Sequence, residues 1–156
     1  MTTSPTVPAK HGTVVSHRDI AAPADLVFDA WTQLEHRRIW FKGPDQTELE
    51  RSVDLQVGGT EIAHGRFPNG VDSRYTARFH LIERPSRLVY AFDMHVAGAH
   101  FSVSLATVDI TTTGDRTRLT YTEQAVFLDG DYGLEGRQEG TEIILDQFAA
   151  LVPTLL

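Results

Sequence analysis

The chain contains no cysteine, so disulfides, thiolate metal sites and cysteine nucleophiles are excluded, and the composition fits a reducing cytoplasm. No apolar run approaches the ~18 residues that a membrane span needs, and the N-terminal stretch MTTSPTVPAKHG lacks the apolar core of a signal peptide. These absences predict a cytoplasmic protein with no membrane span. Positive charge is also short, with 14 Lys and Arg against 21 Asp and Glu and a formal net charge of −7. The one basic cluster, His36, Arg37, Arg38 and Lys42, is too small for a nucleic-acid backbone, which needs a concentrated basic face, so no nucleic-acid partner is expected. A Gly-rich phosphate loop followed by Lys and Ser or Thr is missing as well, leaving nucleotide-dependent chemistry nothing to rest on.

What is present is one amphipathic helix at the C-terminus and a set of long antiparallel strands joined by short turns. From Asp131 to Leu156, apolar residues at Ile144, Leu145, Phe148, Leu151 and Val152 form a stripe with one face to bury. Gly133, Gly136 and Gly140 in its first half each cost up to about 1 kcal/mol of helix propensity relative to Ala. Two readings account for them: close approach of the backbone to a sheet or ligand, or a frayed helix start. Pro153 supplies a stop.

Before that helix, residues 1 to 12 carry little to bury and read as a mobile tail, and residues 13 to 156 as a single domain. Thr13 to Ile20 is weakly strand-like. Short helices follow at Asp25 to Thr32 and Glu35 to Ile39, and Trp40-Phe41-Lys42-Gly43-Pro44 breaks the second. Leu49, Arg51, Val53, Leu55 and Val57 alternate with polar residues as a strand with one wet face. Gly58-Gly59, Asn69-Gly70 and Pro85-Ser86 then punctuate strands at Thr60 to Phe67, Tyr75 to Leu81 and Leu88 to Met94. In the next strand Phe101, Val103 and Leu105 fall on odd positions, but Ala106, Val108 and Ile110 on even ones, which predicts a bulge between the phases. Leu119 to Phe127 closes the set. The sum is α+β: a strongly bent antiparallel sheet of about six to seven strands with one long helix across its apolar face and two short helices after the first strand.

The segments AAPADLVFDAWT, WFKGP, VDLQVGG, FHLIERPSRLVY, FSVSLATV, TRLTYTEQ and EGTEIILDQFAAL resemble, in the same order, bacterial proteins similar to the C-terminal domain of the Hsp90 ATPase activator, within the START-like (polyketide cyclase and lipid-transfer) superfamily. The resemblance runs from about His17 to Leu151. It implies a helix-grip fold, in which the sheet curls around the long helix and leaves a cavity between them. Two positions depart from the common pattern: Glu61, where many members carry an aromatic, and Thr141, where many carry Trp. A subgroup with TEQ (Thr122 to Gln124), FLDG (Phe127 to Gly130) and GT at the helix is closer.

With that cavity as the expectation, Trp40, Phe41, Tyr75, Phe79, Tyr90, Phe92, Phe101, Val103, Tyr121, Gly140, Thr141, Ile144 and Phe148 are candidate lining residues. The competing reading is that most of the aromatics are simply core. Glu123 shares the interior phase of Leu119 and Tyr121, and Glu61 follows the Gly58-Gly59-Thr60 turn. Either carboxylate is a candidate general base or ligand acceptor if it lines the cavity, or a solvated or arginine-paired group if it does not. The seven histidines show no metal spacing; His95 and His100 face across a hairpin at Gly98, but two histidines without a third ligand are weak evidence for zinc. Ser102 and Ser104 lie outside any nucleophile-elbow motif. No metal and no cofactor is expected. Three functions remain in order: binding of a small apolar or amphiphilic molecule, a cyclase or isomerase using a cavity carboxylate, and a chaperone-directed interaction module, which is disfavoured. A bare edge strand would favour a homodimer.

Overall fold

The computed structural model describes residues 8–128 and 133–156. Strand β1 (Lys10–Ile20) leads into helices α1 (Ala24–Thr32) and α2 (Leu34–Trp40). Six strands follow: β2 (Thr47–Val53), β3 (Thr60–Arg66), β4 (Asp72–Glu83), β5 (Arg87–Val96), β6 (Ala99–Thr113) and β7 (Arg116–Phe127). Helix α3 (Gly133–Leu151) ends in a 3₁₀ turn, Val152–Leu155. The strands form one antiparallel sheet in the order β1-β7-β6-β5-β4-β3-β2, so the first and last strands are neighbours and β2 is the far edge. This is the α+β arrangement that the pattern of elements predicts, and the helix-grip fold that the resemblance implies.

Short connections set the order. The β5–β6 turn places Ala97 and Gly98 at φ 52° and 80°, two successive positive angles whose twist suits a tight hairpin. It brings His95 opposite His100 with rings stacked 4.5 Å apart. Among the described residues no group of three or more His, Cys, Asp or Glu could hold a metal ion.

The core gathers where α1, α2 and the C-terminal half of α3 close one end of the curled sheet. Val27, Phe28, Ala30 and Trp31 on α1 meet Trp40 from α2 and Leu145, Phe148 and Val152 from the last helix, all buried. Trp31, Trp40 and Phe148 pack as a triangle with centroids 4.6, 4.9 and 5.2 Å apart, and the Trp40 indole donates to the Ala30 carbonyl at 2.8 Å. Arg18 on β1 ties down α3 through Glu142 and Asp146, each at 2.9 Å.

Three local expectations are corrected. Lys10, His11 and Gly12 are not tail but the start of β1, paired with Phe127, Val126 and Ala125. Strand β2 ends at Val53, not Val57, because the backbone turns back at Gln56 to Gly59; its register slips between Glu48 and Glu50, which throws Leu49 outward. The irregularity expected in β6 lies earlier than Leu105 to Ala106: pairing with β7 runs unbroken from Ser102 to Thr113, but the register with β5 slips between Met94 and His95, leaving Phe101 as the extra residue. From Ser102 onward the even phase faces inward, so Ser102 and Ser104 are buried, while Val103 and Leu105 are 38% and 43% exposed on the convex face. Two apolar residues on the wet side, Val103 and Leu105, made the phase change look later than it is.

Candidate functional site

The first half of α3 stands away from the sheet, and its glycines mark where. A Cβ on Gly133 would lie 2.1 Å from the Phe127 ring, whereas one on Gly136 or Gly140 would meet nothing within 4 Å. The helix therefore touches the sheet at its start and then faces open space. That space is a cavity of about 600 Å³, inside the ~300–1,000 Å³ range of small-molecule sites. Phe41, Tyr75, Tyr90, Phe92, Phe101 and Tyr121 give it aromatic walls, and Gly136, Gly140, Thr141 and Ile144 form the helix side. Exposed Lys42 and Glu48 belong to the same lining, so the cavity reaches the surface.

One wall is polar and fully engaged. Glu123 on β7 is 0% exposed and accepts hydrogen bonds from Ser104 Oγ at 2.6 Å, from the Tyr121 hydroxyl at 2.9 Å and from Arg137 on α3. Arg137 also donates to Ser102 Oγ at 2.6 Å, and its guanidinium lies 5.7 Å from the Phe92 ring and 5.3 Å from that of Phe127. Burial, reinforced by Tyr90 and Glu123, pushes the Tyr121 phenol well above its ordinary pKa, so it remains a donor. A carboxylate held by three donors has little capacity left to take a proton from a substrate.

The opposite wall is polar and incompletely engaged. Arg51 on β2, Ala63 on β3 and Tyr75 on β4 sit side by side in register. Arg51 donates from Nη2 to the Phe41 carbonyl, but its Nη1 and the Tyr75 hydroxyl have no hydrogen-bond partner among the described residues, although both atoms are shielded. Burial lowers the Arg51 pKa from its ordinary value, with the nearby Arg37 adding to the effect. Burial and the Glu61 carboxylate push that of Tyr75 well up.

A family model described as activator of Hsp90 ATPase homolog 1-like protein matches residues 21–153. The chain belongs to this activator-like family. No curated protein matches it. Two solved structures are similar over nearly their whole length. An uncharacterized protein from Rhizobium leguminosarum is 34% identical with a TM-score of 0.88, over 94% of this chain and 97% of that one. The Mll3558 protein from Rhizobium loti is 36% identical with a TM-score of 0.83, over 92% and 98%. NE0264 from Nitrosomonas europaea, 19% identical with a TM-score of 0.73 over 91% and 94%, shares the fold.

Within this activator-like chain the candidate residues divide cleanly by position. Phe41, Tyr75, Tyr90, Phe92, Phe101, Tyr121, Glu123, Gly140, Thr141 and Ile144 line the cavity. Trp40, Phe79 and Phe148 do not; they are core, as the competing reading of the aromatics allowed. Val103 is outside as well, on the convex face, because β6 changes phase at Phe101 and holds the even phase inward from Ser102 on. Glu61 is buried but sits beneath the cavity, paired with Arg37 of α2, whose Nη1 donates to the Trp31 carbonyl at 2.7 Å. Burial raises the Glu61 pKa against the pull of Arg37. Burial works to lower that of Arg37, but the Glu61 carboxylate and the Tyr75 and Tyr90 phenols outweigh it and hold it up.

Arg51 and Arg137 were not among the sequence candidates. Arg137 had a readable signal: it lies three, four and seven residues before Gly140, Thr141 and Ile144, on the same helix face. Arg51 had none beyond its place in the inward phase of β2. Ser102 and Ser104, set aside as nucleophiles, serve as hydrogen-bond partners of the Arg137–Glu123 pair.

Proposed function

We propose that this protein binds a small, mostly apolar molecule in the cavity beneath α3. The observation that carries the reading is the cavity itself, about 600 Å³ with aromatic walls, whose helix side includes Gly136 and Gly140 where alanine would make the helix more stable. Aromatic walls with a few placed polar groups are what such sites use to hold a ring compound or amphiphile. A START-like fold, with its sheet curled about a long helix, is consistent with that role.

The proton-transfer reading has less support, since Glu123 is engaged on both oxygens and Glu61 lies outside the cavity. The chaperone-directed reading rests on the family description alone, and fold does not fix function.

The test is titration with the neutral fluorescent probe N-phenyl-1-naphthylamine, on the wild type and on Gly140→Phe. The phenyl group grows into open space, so the fold should survive by circular dichroism while probe binding is lost. A wild type that gives no fluorescence enhancement, or a Gly140→Phe variant that binds as well as wild type, overturns the proposal.

A further inference from the structure

The cavity's incomplete wall specifies more than an apolar guest. Arg51 Nη1 and the Tyr75 hydroxyl are both shielded, both belong to cavity-lining residues and both lack a protein acceptor among the described residues. The Arg51 side chain is 7% exposed and Tyr75 5%. Buried polar groups are ordinarily satisfied, and each of these two already bears a desolvation penalty that an acceptor brought beside it would relieve.

Charge points the same way. The Arg37 and Arg51 guanidinium groups lie 4.1 and 5.5 Å from the ring of Phe41, and Arg38 is close by. Against these three cations stand two carboxylates: Glu61, committed to Arg37, and Glu48, 3.1 Å from Arg38 and 4.0 Å from Arg51. The corner holds one positive charge in excess. The far wall adds none, because Arg137 is neutralised by Glu123. A guanidinium lowered in pKa by burial gains most from an anion brought beside it.

We propose that the ligand is an organic carboxylate whose head group is received jointly by Arg51 and Tyr75, with its apolar body lying against Phe41, Phe92 and Met94. Tyr75 joins the two parts: its ring packs 4.9 Å from both Phe41 and Phe92, and the Phe41 ring lies in turn against the Arg37 and Arg51 guanidinium groups. An arginine with a free Nη1 and a phenol offer one donor to each carboxylate oxygen. This inference rests on the binding reading above and fails separately from it.

The experiment compares 2-naphthoic acid with 2-naphthamide, two probes of one shape differing in charge, as competitors of N-phenyl-1-naphthylamine at pH 7. The wild type should bind the acid at least tenfold more tightly than the amide. Arg51→Gln should abolish that preference, Arg51→Lys should retain part of it, and Tyr75→Phe should weaken acid binding three- to tenfold. Each competition constant is referred to that variant's own affinity for the neutral probe, and an unchanged circular dichroism spectrum controls for loss of fold. Equal binding of acid and amide by the wild type, or a preference that survives Arg51→Gln, overturns the carboxylate assignment while leaving the binding proposal standing. If the neutral probe itself does not bind the wild type, both fall.

Discussion

Arg137 on α3 donates to Glu123 on β7 and, at 2.6 Å, to the hydroxyl of Ser102 on β6, so one side chain pins the stand-off half of the helix to two strands. The pair is nearly enclosed, with 1% of the Glu123 side chain exposed and 14% of that of Arg137. Removing one partner leaves the other charge buried and unmatched. Arg137→Met should therefore cost about 3 kcal/mol of stability in urea denaturation. Adding Glu123→Gln to that variant should recover part of the loss, and a double-mutant cycle with no coupling would show that the pair does not hold the helix.

The helix glycines should respond in opposite directions. Gly136→Ala and Gly140→Ala meet open space and should each raise stability by up to about 1 kcal/mol. Gly133→Ala forces a methyl group against the Phe127 ring and should lower it. Thermal melts of the three single variants check the contrast; a Gly133→Ala protein as stable as wild type would mean that the helix start is not pressed on the sheet.

The phase of β6 is open to the same kind of test. Val103→Thr and Leu105→Thr alter only the convex face and should change stability by no more than about 0.5 kcal/mol. Ser104→Leu places bulk where the Glu123 carboxylate accepts its hydrogen bond and should cost about 1–3 kcal/mol. The reverse ranking in denaturant midpoints would move the phase change back to Leu105 and Ala106.

Acid should loosen the fold in a defined window. Hydrogen bonds from Arg118 hold the Asp19 carboxyl below its ordinary pKa, and those from Arg66 and then His64 do so for Asp72. For Glu142 the Ser16 hydroxyl comes first and Arg18 next. A carboxylate depressed in the folded state stabilises at pH values above its unfolded pKa of about 4, and that contribution disappears as pH falls through the folded value. The urea midpoint should decline below about pH 4, and the triple variant Asp19→Asn, Asp72→Asn, Glu142→Gln should show a shallower decline.

The order and kind of the elements followed from the chain itself, because alternation and short turns are local properties. Leu119, Tyr121 and Glu123 share a phase whatever they face, and Leu145, Phe148 and Val152 share a helix stripe whatever they cover. Which side of a strand is the inside is not local. On β6 the apolar residues Val103 and Leu105 pointed to one side, but the inside belongs to Ser102 and Ser104, because an arginine from a helix more than thirty residues away needed partners there. Glu61 and Glu123 looked alike as acids on a sheet; only the arrival of α2 beside one and α3 beside the other separated a closed ion pair from a cavity wall. Arg51 and Tyr75 share one cavity wall, on either side of Ala63, only because β2, β3 and β4 pair in one particular register, and a pairing of that kind is decided by the whole sheet.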